Sequence, residues 1–143
     1  SSERLPFHVK IANAEELMAA VRLRAAAYGR HLPALAAKLL QPEAADFEPG
    51  NEVFVAVSTL DGSMLGNIRT HSNLFSPLPL EASLDLPAHF RGLRLIEATR
   101  LGVLGSLQAS LVRNALFKVF FQYCLSQKVD WMLAAGRRPA AGP

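Results

Sequence analysis

Glu97, Arg24, Arg69 and Arg100 are charged residues set in segments otherwise patterned for burial. Arg24 shares a helical face with Leu17, Val21 and Tyr28, which recur at spacings of four, three and four. Glu97 and Arg100 lie in the strand-like run from Leu95 to Leu104. A carboxylate on a central strand beside a cleft is tuned upward by burial and can act as a general base, directly or through a water. The structural alternative is that Glu97 pairs with Arg24 or Arg69 and only holds the site together, because a buried carboxylate needs such a partner. Glu97 and Arg100 have opposite parity on a regular strand, so both face one cleft only if a bulge intervenes. The arginines either grip a substrate carboxylate by bidentate contact or brace Glu97. Tyr28 reads as core or pocket wall, since packing already explains its register.

Other reactive residue types carry less. His8, His31, His71 and His89 show no metal-site spacing and no cysteine or carboxylate joins them, so no metal is expected. Cys124 is the single cysteine, which excludes an internal disulfide, and its apolar helical surroundings make it a small buried hydrophobe. Unpaired N–H groups at a helix start near Gly105, Ser106 and Leu107 suit a phosphate, or else form a plain cap.

These residues need a scaffold, and the chain supplies an alternation of elements. Phe7 to Ile11 reads as a strand, with Asn13 as N-cap of the helix that carries Arg24. Leu32 to Leu40 is a second, short helix ending before Pro42, and Glu43 to Asn51 is loop. Val53 to Val57 is apolar on both faces, as a central strand should be, and Asp61-Gly62 turns the chain into Met64 to His71. Ser72 to Arg91 contains Pro77, Pro79 and Pro87 and reads as a long loop. Its Phe75, Leu78, Leu80, Leu84, Leu86 and Phe90 either cover the core or form a lid over an apolar ligand. A helix from Leu107 to Ser126 follows, apolar nearly all round between Ala115 and Leu125, which predicts burial against a sheet. Val129 to Ala135 is the last strand, with Trp131 read as packing.

With 143 residues, half of them hydrophobic, the chain suits one domain spanning 1–143. Fifteen basic against twelve acidic residues give only +3, scattered along the chain, which argues little for nucleic acid. No apolar run approaches the roughly 20 residues of a membrane span, and no secretory signal is read, so a cytoplasmic location is expected.

Two stretches carry a resemblance: the hairpin end Gly66-Asn67-Ile68-Arg69, and the strand Glu97-Ala98-Thr99-Arg100-Leu101-Gly102-Val103 preceding a long helix. The second resembles the Glu-x-x-Arg strand of the autoinducer (acyl-homoserine-lactone) synthases, whose helical arginine and following aromatic are matched by Arg24 and Tyr28 and whose third-strand arginine is matched by Arg69. Pro77 to Glu81, Val129 to Leu133 and Arg137-Arg138-Pro139 are more similar to the N-acyl amino acid synthases. Both are GNAT-superfamily N-acyltransferases. The tryptophan and much of the acidic cluster that autoinducer synthases use for S-adenosylmethionine are absent, with Glu43, Asp46 and Glu48 remaining, which argues against homoserine-lactone synthesis.

The resemblance implies an α+β, three-layer α/β/α sandwich with a mixed central sheet, ending after its fifth strand without the helix and hairpin a GNAT domain adds. It implies N-acylation of an amino acid by a long-chain acyl group from acyl carrier protein or acyl-CoA, with no permanently bound cofactor. Glu97 and Arg100 are then the catalytic candidates. Arg24, Tyr28, Arg69, Leu101, Gly102, Val103, Gly105 and Ser106 are the substrate-binding ones, with the backbone at Gly102 and Val103 lining the thioester arm between splayed parallel strands. The unpaired edge after the last strand points to a homodimer or to a longer natural chain.

Overall fold

The computed structural model describes residues 5–29, 32–105 and 108–134. Five strands form one sheet in the order β1 (Phe7–Ile11), β2 (Glu52–Ser58), β3 (Met64–Ser72), β4 (Leu95–Val103) and β5 (Trp131–Ala134). Neighbours are antiparallel except β4 and β5, which run parallel. Helix α1 (Ala14–Gly29) covers one face and α3 (Ala109–Ser126) the other, while α2 (Pro33–Lys38) packs against α1. The three-layer α+β expectation holds.

Alternation along β2 divides the core. Val53, Val55 and Val57 meet Leu17, Ala20 and Val21 of α1, whereas Phe54 and Ala56 meet Val112, Leu116 and Phe120 of α3. A strand buried on both faces is what its unbroken apolar sequence requires. Helix α1 starts with a capping box: Asn13 Oδ1 accepts from the Glu16 N–H (2.8 Å) and Glu16 Oε1 from the Asn13 N–H (3.0 Å). Asn13→Ala is therefore expected to lower unfolding stability by about 1 kcal/mol, measurable by denaturant titration.

Some expectations give way. Helix α3 is not buried all round: Val112, Leu116, Phe120 and Cys124 face the sheet, while Phe117, Phe121 and Leu125 are exposed. A single helix on a sheet buries one stripe, whatever the composition of its other side. Trp131 is 53 % exposed rather than packed in the core, and its ring stands edge-to-face with Phe90 at 5.7 Å. Burial pushes the Cys124 thiol up to about 11, as an inert core cysteine should be. No described helix is long and apolar enough to cross a membrane.

Candidate active site

Strand β4 carries the feature on which the site turns. Arg69 pairs with Thr99 and Asn67 with Gly102, so Ile68 alone faces both Arg100 and Leu101. Arg100 is the extra residue, at φ 54. The bulge resets the parity: Glu97, Thr99, Arg100 and Gly102 all lie on the α1 side, while Ile96, Leu101 and Val103 pack toward α3. That is the condition under which Glu97 and Arg100 can share a face. Leu101 and Val103 then offer a ligand their backbone only.

Beneath α1 the charged residues form one connected cluster. Arg24 Nη1 donates to both oxygens of Asp46 at 2.9 and 3.0 Å, and its Nε to Asn67 Oδ1 at 2.8 Å. Arg69 Nη1 reaches Asp46 at 3.1 Å and Glu43 at 3.0 Å, and its Nε reaches the Thr99 hydroxyl at 3.1 Å. Arg100 holds Glu43 by two bonds, Nε at 2.8 Å and Nη2 at 3.0 Å. The short 3-10 turn Ala44–Asp46 places both carboxylates, Asp46 Oδ2 accepting from the Glu43 N–H to close the turn. Three guanidiniums against two carboxylates leave one positive charge in excess.

The arginines therefore do not brace Glu97; Glu43 and Asp46 answer them. Glu97 is 3 % exposed and one of its oxygens accepts from the Leu80 N–H at 3.0 Å, from the turn Pro79–Ala82 of the long loop. Burial raises its carboxyl above the ordinary value, offset in part by that N–H and by Arg69. Tyr28 is half-buried on α1 near Arg100, and burial raises its phenol against the pull of the neighbouring guanidiniums.

Hydrogen bonding from Arg100, with Arg69 adding its charge, holds the Glu43 carboxyl at about 2, well below its ordinary 4.5. A depressed carboxyl stabilises the fold fully above its unfolded value and ceases to do so as pH falls through the folded one. The Glu43 contribution is thus lost between about pH 4.5 and 2. Thermal melts across that window should show an acid limb that Glu43→Gln flattens.

Sequence reasoning found the arginines and missed what they bind. A signal existed: three arginines in buried settings demand carboxylates, and Glu43 and Asp46 stand three apart, the spacing of one helical turn. His71 also belongs to this face, as the cross-strand partner of Glu97. Its Nδ1 meets the Asn51 amide nitrogen (3.3 Å), while Asn51 Oδ1 takes the Ser72 N–H (3.0 Å), which fixes the amide and leaves the ring proton on Nε2 toward Ser76 (3.3 Å). Burial lowers the His71 pKa, so the ring is neutral. In the long loop Leu78 is buried, Leu80, Leu86 and Phe90 are half-buried, and Phe75 and Leu84 are exposed, so the six neither form a uniform core cover nor stand open together. Gly105 is exposed; Ser106 and Leu107 lie outside the described residues, and α3 is described from Ala109. Among the described residues no cluster of metal-ligating side chains occurs.

Pairing between β4 and β5 is described over Leu95–Ala98 against Trp131–Ala134, whereas β4 runs on past its bulge to Val103. The overall fold of this mixed sheet and its helices is shared with solved N-acyltransferases. FeeM, an N-acyl amino acid synthase from uncultured soil microbes, superposes at a TM-score of 0.71 over 90 % of this chain and 70 % of its own, at 18 % identity. This chain has the GNAT fold. The ribosomal-protein-alanine N-acetyltransferase of Brucella melitensis biovar Abortus 2308 shares that fold at a TM-score of 0.62, 15 % identity, with 94 % and 82 % of the two chains covered. An aminoglycoside acetyltransferase from an uncultured soil metagenomic sample does so at 0.64, 11 % identity, covering 95 % and 83 %. No family model matches the sequence, and no curated protein matches it.

Proposed function

We propose that this GNAT-fold chain transfers a long-chain acyl group from a thioester on a pantetheine arm, carried by acyl carrier protein or coenzyme A, to the amino group of an amino acid. One observation carries the reading: the β4 bulge sets a buried carboxylate with a raised pKa, Glu97, on the same face as an arginine cluster with one positive charge in excess. Arg100, the most accessible of the three guanidiniums at 26 % of its side chain, is the natural contact for an acceptor carboxylate. Glu97 then takes a proton from the acceptor ammonium, directly or through a water. The freed amine attacks the thioester carbon, a C–N bond forms, the C–S bond breaks, and the leaving thiolate takes up the proton that the new amide nitrogen sheds. The likeness to FeeM supports an amino acid acceptor.

The test is to incubate the chain with palmitoyl carrier protein, palmitoyl-CoA or acetyl-CoA and a mixture of amino acids, then to search for products by mass spectrometry. N-palmitoyl amino acids are expected. N-acetyl products alone would reassign the donor, and no product from any donor would sink the reading.

A further inference from the structure

Among the described residues, two hydrogen-bond donors in the cluster have no partner. Arg24 is 1 % exposed and Asn67 is fully buried, and Arg24 Nη2 and Asn67 Nδ2 are the atoms left over. The amide cannot be turned to relieve this, because Oδ1 is committed to Arg24 Nε at 2.8 Å and the flipped group would set donor against donor. Leaving a buried donor unsatisfied opposes folding, so two on adjoining side chains point to an oxygen that completes them. The charge of Arg24 is already answered by Asp46, which favours a neutral oxygen over an anionic one.

Gly102 packs tightly against this place. Gly102 is the cross-strand partner of Asn67 on β4, and a Cβ there would stand 3.3 Å from Asn67 Nδ2 and 3.2 Å from Leu23 Cδ2. Leu23 and Val103 also line an open cavity of about 370 Å³ whose walls are mostly apolar, with Arg22 as their one charged residue. Leu23 is thus the partition between cavity and donors. Apolar walls with a single cation suit a chain of methylenes ending in phosphate.

We infer that Arg24 Nη2 and Asn67 Nδ2 form a seat for a carbonyl oxygen of the acyl-pantetheine arm, reached across Gly102 from this cavity. The inference rests on the proposed acyl-thioester reading. The arm offers two sources of such an oxygen, the thioester carbonyl and its amides, and two probes separate them: S-octanoyl-pantetheine, and S-octyl-pantetheine, which keeps the amides and lacks the thioester carbonyl.

Calorimetric titration of both probes into the wild-type chain, Asn67→Asp and Gly102→Ala decides the matter. Asn67→Asp keeps an acceptor for Arg24 Nε and replaces the free donor, while Gly102→Ala changes no polar side chain of the cluster and sets a methyl 3.3 Å from Asn67 Nδ2, which must give by a few tenths of an ångström. Each is expected to weaken binding about tenfold, the worth of one lost hydrogen bond. Loss for both probes assigns an amide; loss for the thioester alone assigns the acyl carbonyl. If Asn67→Asp fails to fold, Gly102→Ala gives the same reading. Wild-type affinity for both probes in both variants would mean that the seat holds a structural water only, and would overturn the inference while leaving the reaction standing. A wild-type chain that binds neither probe overturns both.

Discussion

Glu97→Gln is expected to cut N-acyl transfer about a hundredfold while leaving the folded chain as stable as before, or more so. The two halves of that result separate the roles that the sequence left open. Among the described residues Glu97 has no guanidinium partner; it is buried and accepts one backbone N–H. Its carboxyl is raised, chiefly by burial, so ionisation opposes folding at any pH above its unfolded value. A neutral amide removes that opposition near neutral pH, where a partner of Arg24 or Arg69 would instead have been missed. The rate of the wild-type chain should climb with pH through the raised value, later than an ordinary glutamate would allow. Steady-state rates against pH, with melting temperatures of both proteins, read all of this. Near-normal turnover in the variant would remove Glu97 as base, and a large loss of stability would restore its structural role.

Asp46→Asn should give the reverse pattern, a collapse of stability that no choice of substrate repairs. Asp46 receives both bonds from Arg24 Nη1 and one from Arg69, all in the interior. Removing its charge leaves two buried cations facing an amide, and breaking a buried pair in this way costs about 3–5 kcal/mol. For a domain of 143 residues that is a large share of the total. Urea unfolding should register it directly. Adding Arg24→Met to Asp46→Asn takes away one of the stranded charges and is expected to recover part of the loss. Full stability in Asp46→Asn alone would show that the cluster is solvated after all.

The elements were legible because their patterns are local. Valines alternating with Phe54 and Ala56 in β2, the Asp61-Gly62 turn and the Asn13 N-cap each follow from a few neighbouring residues. The bulge was legible only as a condition, since parity states that Glu97 and Arg100 conflict and cannot say whether the backbone yields. Glu43 and Asp46 sit in a loop without period, and their meaning appears only when Arg24, Arg69 and Arg100 are brought to them from three separate elements. Asn67 was hidden in the same way, one polar residue on a strand whose partner across the ladder is a glycine. The outward side of α3 misled for the opposite reason. Phe117, Phe121 and Leu125 have the composition of a core without the contacts of one.

Arg100 occupies a place that the ladder does not need. Thr99 and Leu101 joined directly would alternate without a break, Leu101 would stand against Ile68 alone, and every other pairing of β3 with β4 would keep its present register. The guanidinium of the cluster most open to an incoming molecule is thus borne by the one residue of β4 that the register of the ladder does not use. In this strand, architecture and recognition are written on separable letters, and selection can revise the second while leaving the first alone.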